Sequence, residues 1–312
     1  MEKVSIVIPC YCSSSMLPEI AQRVSLVMQE KDYELILVND SSPDSTFDVI
    51  SMLAQKDSHV VGIDLAKNFG QHSAIFAGLR YASGEVIVCL DDDGQTPPES
   101  IPELLSAIDS GADVVYAKYE NKQHSSFRNF GSKVNDWMAD KLLGKPKDLY
   151  LSSFFAMRQY VMKEVLKYEN PFVYLPGLIL RTTKHICNVV VPHHKRETGT
   201  SGYTFGKLLR LWLNGFTAFS VKPLRIADIA GCVVAGGGFL YLLYTLVMYA
   251  VRPGTVAGWH SLMAVLLILG GSIMLMLGVM GEYLGRVYIS LNRAPQYVVR
   301  NITERIEVRD EE

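Results

Sequence analysis

The sequence predicts an α/β protein: a mostly parallel sheet with helices on both faces, followed by juxtamembrane helices and two transmembrane helices. Three observations predict it. Short β-branched runs alternate with helical apolar spacing through the first 120 residues. A cluster of three aspartates follows one of those runs. Residues 226–281 carry only two charged side chains, Asp228 and Arg252, while the other 256 residues carry 60 of the 62 charges. A soluble unit of ordinary charge density is thus joined to an apolar one, which excludes a disordered chain, a small disulfide scaffold and an all-soluble enzyme.

Residues 4–8 form the first β-branched run and end at Pro9. Apolar side chains at Leu17, Ile20, Ala21, Val24, Val27 and Met28 have the spacing of a helix face. A second buried strand at 34–38 leads into Asn39-Asp40-Ser41-Ser42-Pro43, a turn cluster that opens a helix. Strands at 60–64, 86–90 and 113–116 alternate with helices at 72–82 and 98–108. Such alternation argues for a parallel sheet, which binds ligands at the carboxyl ends of its strands. Asp40, Lys67-Asn68 and Asp91–Asp93 all follow strands. The middle is less regular: helices at 127–143 and 159–166, and strands at 153–157 and 186–191.

Two uncharged runs, 229–251 and 261–281, reach ~35 and ~32 Å as helices, enough to cross a hydrocarbon core of ~30 Å. Arg252-Pro253-Gly254 separates them, so the pattern reads as a helical hairpin; a pair of buried core helices is the alternative. Lys207, Arg210, Lys222 and Arg225 precede the first run, and Arg286, Arg293 and Arg300 follow the second. The positive-inside rule then places both termini and the soluble unit in the cytoplasm, at the cytoplasmic membrane. The stretch 204–219 mixes Lys207 and Arg210 with Leu208, Leu211, Trp212 and Phe216, as an interfacial helix lying on a bilayer does. No cleavable leader is expected at the N-terminus. A net charge of −2 suggests no nucleic-acid partner, and five cysteines without a ligand cluster suggest packing thiols in a reducing compartment. The expected division is 1–203 as a catalytic domain, 204–225 as an amphipathic segment, 226–284 as the hairpin and 285–312 as a C-terminal tail.

Asp91-Asp92-Asp93-Gly94-Gln95 is the strongest chemical signal. Carboxylates at Asp91 and Asp93, with the amide oxygen of Gln95, can meet on one cation. Hard oxygen ligands suit Mg²⁺ or Mn²⁺, which bind substrate phosphates as well. Helix caps and solvated loops share this acidic composition, so its place at the end of a buried strand is what favours a metal–diphosphate site.

Four motifs occur in order: Val7-Ile8-Pro9-Cys10-Tyr11, Val38-Asn39-Asp40-Ser41-Ser42-Pro43-Asp44, Lys67-Asn68-Phe69-Gly70-Gln71-His72 and Asp91-Asp92-Asp93-Gly94-Gln95-Thr96-Pro97-Pro98. Further matches are His193-His194-Lys195-Arg196 through Tyr203, Lys222-Pro223-Leu224-Arg225, and Gly281-Glu282-Tyr283-Leu284-Gly285-Arg286. With them the chain resembles the family 2 glycosyltransferases, and within these the membrane-bound polyprenyl-phosphate glycosyltransferases. The resemblance implies a GT-A-like nucleotide-binding sheet. It implies that Pro9, Tyr11, Asp40, Asn68, Asp91 and Asp92 bind the nucleotide sugar, and that Asp91, Asp93 and Gln95 hold Mg²⁺ or Mn²⁺. Asp91, Asp93 and Arg196 would be catalytic. Lys118, Arg128, Ser132 and Ser201 would face the acceptor lipid phosphate, with Arg196 and Ser201 on a loop closing over the diphosphate.

The implied reaction moves a sugar, with inversion, from a UDP-hexose such as UDP-glucose or a UDP-N-acetyl sugar to polyprenyl phosphate, feeding cell-envelope glycans. The implied partners are the nucleotide sugar, undecaprenyl phosphate, the bilayer and a second copy of the chain. Three departures stand out. Cys12-Ser13 replace the usual Asn-Glu, Asp92 and Gly94 replace Ala and Leu, and Ser153 stands where several relatives carry Asp. A phosphate monoester with its second pKa at ~6 is mostly dianionic at pH 7 and attacks without a base. Two other classes compete. A processive synthase would need more spans than two, and a non-catalytic binding subunit would have no need of the acidic cluster or Arg196.

Overall fold

The computed structural model describes residues 3–94, 96–119, 145–146, 148–192, 258–292 and 294–303. Within 229–251 it describes 229, 231, 233–234, 236–241, 243–244, 247 and 251. The expected helices at 127–143 and 204–219 lie outside the described residues. Two compact units are present: residues 1–207 with 293–312, and residues 208–292.

The first unit is built on an eight-stranded sheet. In chain order its strands are β1 (Val4–Cys10), β2 (Tyr33–Asn39), β3 (Val60–Leu65), β4 (Val86–Cys89), β5 (Val114–Tyr119), β6 (Phe155–Arg158), β7 (Ile186–Val191) and β8 (Val299–Ile302). Their spatial order is β7-β5-β6-β4-β1-β2-β3-β8. Every residue of β1, β2, β3 and β4 is buried, which is why these strands read as continuous apolar runs instead of alternating ones. Helices α1 (Leu17–Met28), α2 (Thr46–Lys56), α3 (Gln71–Tyr81) and α4 (Ile101–Asp109) make the crossovers, and a 3₁₀ turn (Pro98–Ser100) precedes α4. Two further helices, α5 (Gln159–Val165) and α6 (Leu175–Thr182), follow β6.

Helix α1 buries Leu17, Ile20, Val24 and Met28, the face its spacing predicts. Helix α3 is buried from Ser73 through Leu79 and packs on β1 and β2. It lies so close that a Cβ on Gly78 would meet Val7 Cγ1 at 2.5 Å and Val38 Cγ2 at 3.0 Å. Pro9 fits β1 because pairing with β4 ends at Val7–Cys89, before the missing N–H would be needed.

The mostly parallel expectation holds in direction for six strands. The sheet is nevertheless mixed: β6 runs antiparallel between β4 and β5, and β8 antiparallel beside β3. A crossover through α4 leaves β5 parallel to β4 but one strand-width away, and β6 fills the gap. The segment 285–312, expected as a tail, has a different arrangement: residues 299–302 form the β8 edge strand. Thr303 secures it, its N–H donating to the Gly62 carbonyl at 2.9 Å and its Oγ1 accepting from Gly62 N–H at 2.8 Å.

In the second unit, α7 (Trp259–Leu291) is one continuous 33-residue helix. The expected span 261–281 lies within it, and Glu282 and Arg286 belong to the helix instead of following it. Among the described residues one helix segment, Ile268–Leu291, is long and apolar enough to cross a membrane, with mean hydropathy 1.5. The described residues of 229–251 are helical, but two complete transmembrane helices are not established. Gly231 approaches α7 closely, since a Cβ there would meet Met276 Cε at 2.2 Å. Apolar side chains of this unit are widely exposed: Leu240 68%, Met274 75% and Leu275 66%.

Candidate active site

The carboxyl ends of β1, β2 and β4 meet at one edge of the sheet, and the loops leaving them carry the predicted residues. After β1 come Tyr11, which is 52% exposed, and Cys12, held at φ +54°. After β2, Ser41 also has φ +54°. These are the described non-glycine residues with left-handed backbone, a costly conformation that surrounding contacts must maintain. Those contacts link the two loops. Cys12 N–H donates to Ser42 Oγ at 3.1 Å, Ser13 N–H to Thr46 Oγ1 at 3.1 Å, and Ser14 Oγ to Asp44 Oδ2 at 2.8 Å.

Asp40 is buried, and both its oxygens accept backbone N–H groups, from Phe69 at 2.7 Å and Gly70 at 2.8 Å. Its position therefore shapes the turn that carries Lys67 and Asn68, whose side chains are exposed. Burial pushes the Asp40 carboxyl up despite these bonds.

The three aspartates follow β4. Asp91 Oδ1 accepts from Gln71 Nε2 at 2.6 Å, and its Oδ2 accepts from Ser153 Oγ. Asp92 Oδ2 accepts from Tyr11 N–H at 2.9 Å, joining the acidic loop to the β1 loop. Burial pushes Asp91 up to about 7; the bond from Ser153 opposes this, and the charges of Asp93 and Asp92 add to it. Asp92 is also raised, first by burial. Gly94 has φ +70°, and a Cβ there would meet Met16 Cε at 2.8 Å, so both backbone and space favour glycine.

The charges of Asp93 and Asp92 push Asp91 up and that of Asp93 pushes Asp92 up, a repulsion that a cation would relieve. Mg²⁺ commonly takes only one or two protein carboxylates and completes its shell with phosphate and water. The donor set therefore fits Mg²⁺ or Mn²⁺, although no group of three or more His, Cys, Asp or Glu among the described residues forms an all-protein cage.

The structure thus brings together Pro9, Tyr11, Asp40, Asn68, Asp91, Asp92 and Asp93 around one sheet edge. Lys118 is exposed near the end of β5. Gln95, Arg128, Ser132, Arg196 and Ser201 lie outside the described residues. Sequence reasoning treated Ser153 as a replacement for an aspartate and did not foresee its bond to Asp91. Gln71 was visible within a motif, but its role as the second support of Asp91 was not. A pocket of about 190 Å³ adjoins these two supports, walled by α3, β5, β6 and α6. His72, Tyr116 and Tyr174 line it, and the His72 and Tyr174 rings meet edge-on at 5.3 Å.

Residues 5–166 match glycosyl transferase family 2, and residues 222–287 match the GtrB C-terminal hairpin. Undecaprenyl-phosphate 4-deoxy-4-formamido-L-arabinose transferase of Proteus mirabilis is 34% identical over 307 residues, covering 97% of this chain and 94% of the relative. The enzyme of that name from Salmonella paratyphi B has the same identity and coverage. Among solved structures, glucosyl-3-phosphoglycerate synthase from Mycobacterium tuberculosis, in complex with Mn²⁺ and UDP-glucose, has a similar fold. Its TM-score is 0.50 at 15% identity, covering 68% of this chain and 77% of that one.

Proposed function

This chain belongs to glycosyl transferase family 2 and is a glycosyltransferase, and on that premise we propose that it transfers a sugar from a UDP-sugar to undecaprenyl phosphate at the cytoplasmic face of the membrane. The observation that carries the reading is 34% identity across 97% of the chain to transferases named for that acceptor. The acidic loop between β4 and the 3₁₀ turn supports it, as do the apolar helices of the second unit. The donor sugar is a UDP-hexose or UDP-N-acetyl sugar on the sequence reading; the relatives' names add a 4-formamido-pentose to the candidates.

In the proposed reaction, an oxygen of the lipid phosphate forms a bond to the sugar C1 while the bond from C1 to the diphosphate oxygen breaks, with inversion. The acceptor is already mostly dianionic at pH 7, so no side chain need remove a proton. Ser153 fits this account because it donates to Asp91 and leaves no carboxylate at its own position. Tyr11 is exposed for contact with the base, and Pro9, Asp40 and Asn68 shape the surrounding pocket. Asp91 and Asp93, with Gln95, would hold Mg²⁺ or Mn²⁺, which when bound screens the diphosphate and stabilises its departure. Asp92 fixes the loop against Tyr11. Arg196 and Ser201 would close on the diphosphate, and Lys118, Arg128 and Ser132 would receive the lipid phosphate. Arginine suits this task because its planar fork binds phosphate oxygens in pairs and keeps its charge. We further propose the domain division 1–203, 204–225 and 226–284, with membrane embedding of the third segment and association between copies of the chain.

Purified full-length protein in lipid nanodiscs tests this reading. It is supplied with undecaprenyl phosphate, Mg²⁺ or Mn²⁺, and labelled nucleotide sugars one at a time. A lipid-extractable labelled product that disappears with Asp93→Ala is expected. No product from any donor sinks the proposal.

A further inference from the structure

The pocket beside Asp91 contains two polar atoms without hydrogen-bond partners among the described residues. These are Tyr116 OH and His72 Nδ1, both buried. Tyr116 itself is fully buried. Leaving such groups unpaired is unfavourable, and most buried polar atoms in folded proteins are paired. Both residues line the same cavity of about 190 Å³. Gln71 and Ser153, also in its lining, are the residues that hold the two oxygens of Asp91. The unpaired atoms therefore belong to a compartment sharing its wall with the acidic cluster.

The chemistry of the lining defines the occupant. No Lys, Arg, Asp or Glu lines the cavity among the described residues. Burial pushes His72 down to about 4, so the imidazole is neutral near pH 7 and offers one donor and one acceptor. A phosphate or carboxylate would be buried here without a cation, and an ammonium group without an anion; both are costly. A neutral group with several hydroxyl or amide functions, backed by apolar and aromatic walls, is what the site can satisfy.

We propose that this pocket receives the uncharged glycosyl group of the donor, and that Tyr116 OH and His72 Nδ1 read it through hydrogen bonds. The inference rests on the nucleotide-sugar reading above and deepens it. It makes Tyr116 and His72 specificity-determining residues, distinct from those expected to bind the nucleotide or the metal. Their position beside the supports of Asp91 would couple the presence of the sugar to the orientation of that carboxylate.

Full-length wild type, Tyr116→Phe and His72→Phe in nanodiscs with Mn²⁺ are compared for affinity to UDP and to the UDP-sugar that wild type transfers. Each variant is expected to bind UDP within twofold of wild type and to lose roughly tenfold in affinity for the UDP-sugar, the effect of one neutral hydrogen bond. The thermal midpoint of Tyr116→Phe should equal or exceed that of wild type, because the lost hydroxyl has no partner among the described residues. Unchanged UDP-sugar affinity in both variants overturns the inference, as does equal weakening toward UDP and UDP-sugar. A lowered midpoint for Tyr116→Phe also overturns it, by exposing a structural role. Should wild type transfer no sugar at all, the proposed function fails and this inference with it; transfer by wild type with indifferent variants removes the inference alone.

Discussion

In the sheet unit, Leu37, Ile36 and Val7 are 0% exposed, whereas in the helical unit Leu240, Leu275 and Met274 are 66–75% exposed. The same residue classes are handled in opposite ways. A water-soluble unit hides its apolar side chains in order to fold. The helical unit leaves them exposed, and its segment Ile268–Leu291 is long and apolar enough to cross a membrane. Chemistry is divided in the same way: the described carboxylates of the candidate site all lie in the sheet unit. The contrast shows that hydrophobicity alone does not identify a core; the placement of charge distinguishes the two uses.

The largest expected effect breaks only one side of this comparison. Asp93→Ala should lower sugar transfer by about 10²–10³-fold, the scale for loss of an electrostatic group in a reacting site. Detergent extraction from membranes should be unchanged, measured by fractionation of the variant beside wild type. Truncation in the two cores sharpens the contrast next. Leu37→Ala should cost about 2–5 kcal/mol of stability, whereas Leu275→Ala should leave the unfolding midpoint of the sheet unit in place. Denaturant melts followed by near-UV circular dichroism distinguish the two.

Glycines extend the test. Gly78→Ala should destabilise by about 1–3 kcal/mol, because the added methyl meets β1 and β2. A Cβ on Gly271 has nothing within 4 Å, so Gly271→Ala should be neutral or favour the helix. A thermal-shift series covers both.

Protonation gives a subtler effect. The folded-state pKa of Asp91 is raised to about 7, so the folded protein binds a proton more tightly there than the unfolded chain. The contribution is favourable at pH below ~4 and is lost as pH rises through about 7. In metal-free buffer, Asp91→Asn should therefore gain stability over wild type as pH rises from 4 to 7. Divalent cation should narrow that gap. Smallest of all is Arg300→Ala, which takes an exposed guanidinium away from the buried Asp64 at 3.5 Å; Asn39 Nδ2 still donates to that carboxylate at 2.7 Å, so the cost should be about 1 kcal/mol in a chemical melt.

Much of the architecture was legible because the strands buried on both faces carry mostly apolar runs, with few polar positions such as Ser5, Glu34 and Asp64. The acidic loop was legible as well, since three consecutive aspartates after a buried strand have few structural uses. Strand β8 was not: Val299-Arg300-Asn301-Ile302 is an exposed edge, and only its partner β3 makes it a strand. The reversed direction of β6 was hidden because a short apolar run does not state its neighbour. The support of Asp91 by Gln71 and Ser153 joins residues 82 positions apart, and the two carboxylate contacts of Asp40 reach into another loop. Such pairings arise from the fold, and no local spacing announces them. Helix α6 was missed for a related reason, since its Pro176-Gly177 pair reads as a break in isolation.

The return of the chain to form β8 has a practical consequence. The helical unit is an insertion, entered and left through the sheet unit, so ending the chain at residue 207 to remove the membrane-compatible part also removes the strand that covers β3. An uncovered strand edge invites pairing with other molecules. A well-behaved aqueous version of the enzyme must therefore splice out the insertion and rejoin its flanks, keeping residues 298–303; simple shortening would produce an aggregating fragment.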